Sequence, residues 1–139
     1  DLLFGAVLVA GARAPIVVSE DMVSSMKRGS VIVDVAVDQG GCIATTHETT
    51  HTDPVFDLHG VIHYAVGNMP GAVPNTSTYA LTNATLPYQI QIASLGAREA
   101  AQQSQAIRLG INTANGHITS EPVARELSTN FISPLDALS

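Results

Sequence analysis

The chain opens on an unbroken apolar run, Leu2 to Val9 in LLFGAVLV, with none of the alternation of a half-buried strand. Such a run predicts a strand covered on both faces, as in a parallel sheet. The loop AGARAP follows, with Gly11 and Pro15 poorly suited to an element interior. Ser19 is then a good helix N-cap, Glu20 and Asp21 suit the positive end of the helix dipole, and Met22, Val23 and Met26 fall on one face. Lys27 and Arg28 are expected to close this helix, with Gly29 in the left-handed position beyond it. Ser30 to Val35, SVIVDV, is β-branched and nearly all apolar, which predicts an interior parallel strand. Thr45 to Pro54 is polar and irregular. Gly60 introduces a third short strand, Val61 to Ala65, which ends in the loop Gly67-Asn68-Met69-Pro70-Gly71.

From Thr76 or Ser77 the period changes. Leu81, Ala84, Tyr88, Ile92 and Leu95 recur at three- and four-residue steps, giving one apolar stripe along a long helix, most simply core or interface. Pro87 removes a backbone donor, so a kink is expected there; Gly96 interrupts, and helix resumes over Ala97 to Leu109. Asn115-Gly116 signals a type I′ hairpin, Ser120 caps a helix through Leu127, and Ser133-Pro134 starts a last helical turn. Strand, helix and strand within some thirty residues make a unit of a doubly wound α/β fold with a right-handed crossover. A partition near residue 75 is expected, with sheet in 1–75 and mostly helix in 76–139, the long helix crossing between two domains. A three-stranded sheet is thin, and its outer strands need cover.

Composition narrows the function classes. Hydrophobic residues make up 45% of the 139, far from a disordered composition. Twelve acidic against six basic residues give a net charge of -6, which argues against non-specific binding to nucleic acid or an anionic membrane surface. The single Cys42 excludes an internal disulfide, so a reduced, cytoplasmic setting is the simplest expectation. No apolar stretch approaches a membrane span, and Leu2 to Ala12 lacks the basic flank of a signal peptide. Asp1 leads straight into a strand without a polar lead-in, from which a chain cut out of a larger protein is expected.

In open α/β sheets, ligands gather beyond the C-terminal ends of the strands. Three such ends are predicted: Gly5-Ala6-Val7-Leu8, Val35-Ala36-Val37-Asp38 and Val66-Gly67-Asn68-Met69. Their apolar side chains suit packing against a flat ring. Asp38 reads as the only carboxylate at this edge, with Asp34 inside the strand, and Gly40 and Gly41 allow close backbone approach. The plain alternative for Asp38 is a loop residue capping nearby amides; for Val7, Leu8 and Met69 it is ordinary packing, and for Asn68 a turn. There is no G-x-G-x-x-G run, so any pyrophosphate cradle lies outside this sequence. His47, His51, Asp53 and His59 invite a metal reading, but Thr49, Thr50 and Pro54 argue against the helix that spacing needs, and no metal is expected. His51 and Asp53 are expected to make loop hydrogen bonds or a subunit contact, and His63 a structural bond. Cys42 has no evident base or second thiol and reads as no nucleophile.

Taken in order, GAVLVAGARAP, GSVIVDVAVDQGGC, THTDPVF, HYAVGNMPGAVPNTSTYALTNATLPY and ITSEPVA resemble the C-terminal part of the alanine dehydrogenase family. The nicotinamide nucleotide transhydrogenase alpha subunit is a close relative, but THTDPVF and ALTNATLPY lean towards alanine dehydrogenase. The resemblance implies the later strands of an incomplete, Rossmann-like parallel sheet, 1–75, followed by an interdomain helix and the helical and hairpin part of a substrate domain, 76–139. It also implies an NAD-dependent, homo-oligomeric enzyme that reversibly deaminates L-alanine to pyruvate and ammonia. Asp38 matches the family's aspartate beside nicotinamide ribose and substrate. Val7 and Leu8 match the nucleotide-contacting pair, Val35 the nicotinamide side, and Val66, Asn68 and Met69 the loop closing over it. The family's substrate-binding arginine and lysine, its catalytic histidine and its phosphate loop have no counterpart here. Two other readings stay open: a non-catalytic chain that folds against missing N-terminal segments or copies of itself, and a transhydrogenase alpha fragment. For the 139 residues alone, the inactive reading is favoured.

Overall fold

The computed structural model describes residues 1–139, which form two compact units, Asp1–Pro74 and Asn75–Ser139. In the first, β1 (Leu2–Gly5) leads through α1 (Glu20–Ser24) to β2 (Val31–Asp34), followed by β3 (Val55–Leu58) and β4 (Val61–Tyr64). The sheet order is β1-β2-β4-β3. β1, β2 and β4 run parallel, with Leu3 opposite Ile32 and Ile32 opposite His63. β3 lies antiparallel on the outside of β4, pairing Phe56 with His63.

The Leu2, Val31 and Val61 strands fall where the apolar runs place them, but each is shorter than expected. β2 ends at Asp34 because that side chain accepts the Ala36 N–H and caps a 3-10 helix, Val35–Gln39. Val35 therefore belongs to a helical turn, and β1, which pairs only with β2, stops alongside it at Gly5. β3 was not expected. It turns into β4 through His59 and Gly60, whose φ values of 57° and 75° suit the turn that joins antiparallel strands.

Ser19 caps α1 as expected, its hydroxyl accepting the Met22 N–H at 3.3 Å. The helix ends at Ser24, a turn before Lys27 and Arg28. Ser24 and Ser25 donate their hydroxyls to Asp21 O and Met22 O at 2.9 and 2.7 Å, competing with the backbone bonds that would extend the helix. Val23, Ile32, Ile43 and Val61 are buried in one core with Cys42 and Ala36, against which Leu3, Val7, Val18 and Met26 pack. The core thus fixes the backs of the same segments whose ends form the sheet's C-terminal edge.

The second unit is built on α2 (Pro74–Gln103), α3 (Gln105–Gly110), a hairpin of β5 (Thr113–Ala114) and β6 (His117–Ile118), α4 (Glu121–Glu126) and α5 (Pro134–Ala137). Inside α2 the backbone leaves helical geometry at Gly96, φ 76° and ψ 163°, and not at Pro87. A positive φ costs glycine little, so the chain breaks where a Cβ is missing and not where a donor is. A second interruption separates Gln103 from Gln105, where Ser104 accepts the Ile107 N–H and starts α3 afresh. Asn115 and Gly116 make the expected hairpin turn with φ of 48° and 79°. Ala100, Ala101 and Ile107 form this unit's own buried cluster, with Leu95, Ile111, Leu135 and Leu138 against it. An open mixed sheet followed by helices is an incomplete Rossmann-like arrangement. No helix is long and apolar enough to cross a membrane.

Candidate functional site

Because β1, β2 and β4 are parallel, their C-terminal ends open onto one edge. Val7 and Leu8 follow β1, Val35 to Gln39 follow β2, and Val66 to Met69 follow β4. Two of these three segments are tied directly. The exposed Asp38 carboxylate accepts the Asn68 N–H, with Oδ1 at 3.1 Å and Oδ2 at 3.3 Å. Asn68 has left-handed backbone, φ 53° and ψ 55°, and opens a short 3-10 helix, Met69–Ala72. Its carbonyl is held from the other side by His51 Nε2 at 3.2 Å. The backbone of one residue, through the two peptide groups on either side of its Cα, thus bridges the Asp38 helix and the loop before β3.

The other expected residues divide by exposure. Leu8 is 70% exposed and Val35 48%, presenting apolar surface at the edge, while Met69 is half-buried. Val7 is also half-buried and packs on the core. Val66 is buried, so what it offers the edge is backbone; its segment pairs with Thr49. The Asn68 side chain is exposed although its N–H is engaged. Arg13 lies across Gly40, where an added Cβ would stand 2.6 Å from its Nε. Gln39 Oε1 is buried without a hydrogen-bond partner.

The edge also contains a carboxylate that strand patterning had placed inside β2. Asp34 is wholly buried at the strand's end. Its Oδ1 accepts the Ala36 N–H at 3.0 Å, and its Oδ2 accepts the Cys42 N–H at 3.0 Å and the Thr46 hydroxyl at 2.6 Å. The Cys42 thiol donates weakly to Oδ1 at 3.5 Å. Burial pushes the pKa of that thiol up, opposed by a backbone contact at Val7 and reinforced by the Asp34 charge, so Cys42 is held as the unreactive thiol. These partners lie up to twelve residues downstream of Asp34, a separation that leaves no local sequence pattern.

Two of the histidines share one aromatic partner and another pairs with a carboxylate. His47 stacks on Phe56 at 4.0 Å between ring centres, and Phe56 stacks on His63 at 4.7 Å. His59 meets Glu20 at 3.0 Å. Asp53 pairs with Thr50 through backbone bonds. No three His, Cys, Asp or Glu side chains come together as a metal site.

An exposed carboxylate among apolar side chains at strand ends suits a flat ring bearing a substrate beside it. Leu8 and Val35 supply open apolar faces, and Asp38 supplies an anchored negative charge. These features fit the nicotinamide end of a dinucleotide.

Residues 1–121 match the family described as "Alanine dehydrogenase/PNT, C-terminal domain". The chain is 58% identical over 139 residues to the alanine dehydrogenase of Bacillus subtilis (strain 168), and 55% identical to alanine dehydrogenase 2 of Staphylococcus aureus (strain USA300). Each alignment covers 99% of this chain and 37% of the relative, so the chain spans little more than a third of the proteins it matches. Among solved structures, an L-alanine dehydrogenase superposes with a TM-score of 0.75 at 50% identity, over 92% of this chain and 35% of that one. The transhydrogenase of Sinorhizobium meliloti superposes with a TM-score of 0.51 at 32% identity, over 57% of this chain and 23% of that one.

Proposed function

We propose a function from one premise: the chain belongs to the alanine dehydrogenase/PNT family. In the intact protein it supplies the nicotinamide-facing edge of an NAD-dependent enzyme that interconverts L-alanine with pyruvate and ammonia. The observation that carries this reading is the Asp38 carboxylate, exposed at the C-terminal edge of the parallel strands and held there by the Asn68 N–H. The alanine dehydrogenase reading is preferred to the transhydrogenase one by the 58% identity and by the superposition over 92% of the chain.

NAD, when bound, accepts the hydride from the substrate's α-carbon. Everything else falls to the protein. Leu8, Val35 and Met69 wall the ring and exclude water, with Val7 and the Val66 backbone behind them and the Asn68 side chain at the rim. Asp38 stands where the α-carbon's amine becomes a cationic iminium, and its charge favours that species over the neutral ground state. The Asn68 N–H fixes the carboxylate's direction, so the charge need not reorganise as the reaction proceeds. Residues 1–75 act as the C-terminal half of the NAD-binding domain, and 76–139 as an interdomain helix with the helical and hairpin part of a substrate domain. The substrate-binding and phosphate-binding residues come from the remainder of the polypeptide, and the enzyme works as a cytoplasmic homo-oligomer. In the full-length protein, Asp38→Asn lowers kcat for alanine oxidation by at least about tenfold, some 1.4 kcal/mol of transition-state stabilisation. A variant as fast as wild type overturns the assignment.

A second reading concerns the 139 residues by themselves. β1 is an edge strand whose Leu2 and Phe4 are 60% and 64% exposed, which supports a chain that awaits a partner and catalyses nothing alone. Incubated with alanine and NAD, the purified 139-residue chain yields no NADH. NADH production at a rate comparable to the full-length enzyme removes this reading. Hydride passing only between two nucleotides, with alanine ignored, would instead favour a transhydrogenase.

A further inference from the structure

Asp34 sits one residue before the 3-10 helix that carries Asp38, and its bonds run to both ends of the intervening segment. Oδ1 holds the helix start through Ala36 N–H; Oδ2 holds the return of the chain through Cys42 N–H and Thr46 Oγ1. Space for the carboxylate is made by two glycines. A Cβ added at Gly5 would lie 3.2 Å from Oδ1 and 2.6 Å from Cys42 Sγ, and one added at Gly41 would lie 3.2 Å from Oδ2. The 3-10 helix closes with the Gly40 N–H on Val37 O and the Gly41 N–H on Ala36 O. Asp38 is therefore carried on a loop whose two ends share one buried side chain, while the Ala14 N–H on Gln39 O and the Val17 N–H on Cys42 O hold its outer side.

We propose that Asp34 is a positioning residue: its buried carboxylate sets the segment from Val35 to Thr46 so that the Asp38 carboxylate meets the Asn68 N–H and faces the substrate. The inference rests on the catalytic reading of Asp38. Asp34 itself is fully buried, so its side chain is closed off from the open edge and it acts through Asp38. Its carboxylate provides acceptors on both oxygens, and three strong donors use them. The isosteric amide replaces one oxygen by NH2, which cannot accept, so one of the two clamps must fail.

The test uses the full-length enzyme. Asp34→Asn, Asp38→Asn and the double variant are compared for kcat with alanine and NAD, and hydrogen exchange is followed by mass spectrometry over the peptide Val66 to Ala72. Asp34→Asn alone is expected to lower kcat by about tenfold, but by no more than about twofold once Asp38 is already Asn, since residues acting as a unit are not additive. Exchange over Val66 to Ala72 is expected to quicken in Asp34→Asn. Thr46→Ala, which removes one bond and keeps the carboxylate, is expected to shift both readouts in the same direction less strongly; it carries the test if Asp34→Asn does not fold. Equal losses of kcat in the two Asp38 backgrounds, or unchanged exchange over Val66 to Ala72, overturn the proposal. An Asp38→Asn enzyme at wild-type speed instead removes the catalytic reading of Asp38, while the exchange measurement still decides whether Asp34 positions the loop.

Discussion

His63 lies on β4 with no solvent exposure. Its Nδ1 meets the Val61 carbonyl at 2.9 Å and must carry the proton there, leaving Nε2 to accept from Thr45 Oγ1 at 2.9 Å. Both bonds suit the neutral ring, and burial pushes its pKa below the usual histidine value, with the Val61 carbonyl opposing the shift in part. The unfolded chain takes up its proton as pH falls through about 6.5 while the folded chain resists it. The stability linked to neutral His63 is thus complete above about pH 6.5 and is lost as pH drops towards the depressed folded value. The urea midpoint is expected to fall between pH 7.5 and 5.5, with His63→Gln flattening the decline. Parallel curves for the two proteins would show that His63 is not the group responsible. At this scale the sequence was legible where a residue's role depends on near neighbours, as with Ser19, which caps within three residues. Asp34 was not, because Cys42 and Thr46 reach it only after the chain has turned back.

Elements were legible by the same criterion. The Asn115-Gly116 turn needs only its own two dihedral pairs, and it forms as expected. β3 was missed because its turn uses His59, which is no standard hairpin residue, and because four residues ending in Asp57-Leu58 carry little period. The long helix shows two local rules in competition. Proline costs a helix interior about 3 kcal/mol relative to alanine, yet Pro87 stays inside helical backbone and Gly96 does not. Pro87→Ala is accordingly expected to raise the melting temperature without moving the break. Gly96→Ala must hold a Cβ at φ 76° and is expected to destabilise by about 1–2 kcal/mol. Circular dichroism during thermal unfolding reads both, and a Gly96→Ala protein as stable as wild type would mean that the break relaxes into continuous helix.

For the molecule as a whole, the notable quantity is uncovered apolar surface. In the first unit Leu2, Phe4, Ile16 and Val17 are each more than half exposed; in the second Tyr79, Leu81, Ile90 and Leu109 are too. Patches of this kind mark contact surfaces or aggregation-prone ones. The stripe from Leu81 to Leu95 had two sequence readings, core or interface, which differ only in what lies opposite it; periodicity reports that a face is apolar and never what covers it. The 139-residue chain is expected to bind a hydrophobic dye such as ANS strongly and to scatter light as self-associated species, whereas the full-length protein does neither. A monodisperse 139-residue chain with no dye fluorescence would contradict that expectation.

The Asn68 backbone is held on both sides of its Cα, by Asp38 at its N–H and His51 at its carbonyl. The Asp38 turn, the His51 loop and the segment from Val66 to Ala72 thus meet at the backbone of a single residue, and a substitution that displaces Asn68 disturbs all three together.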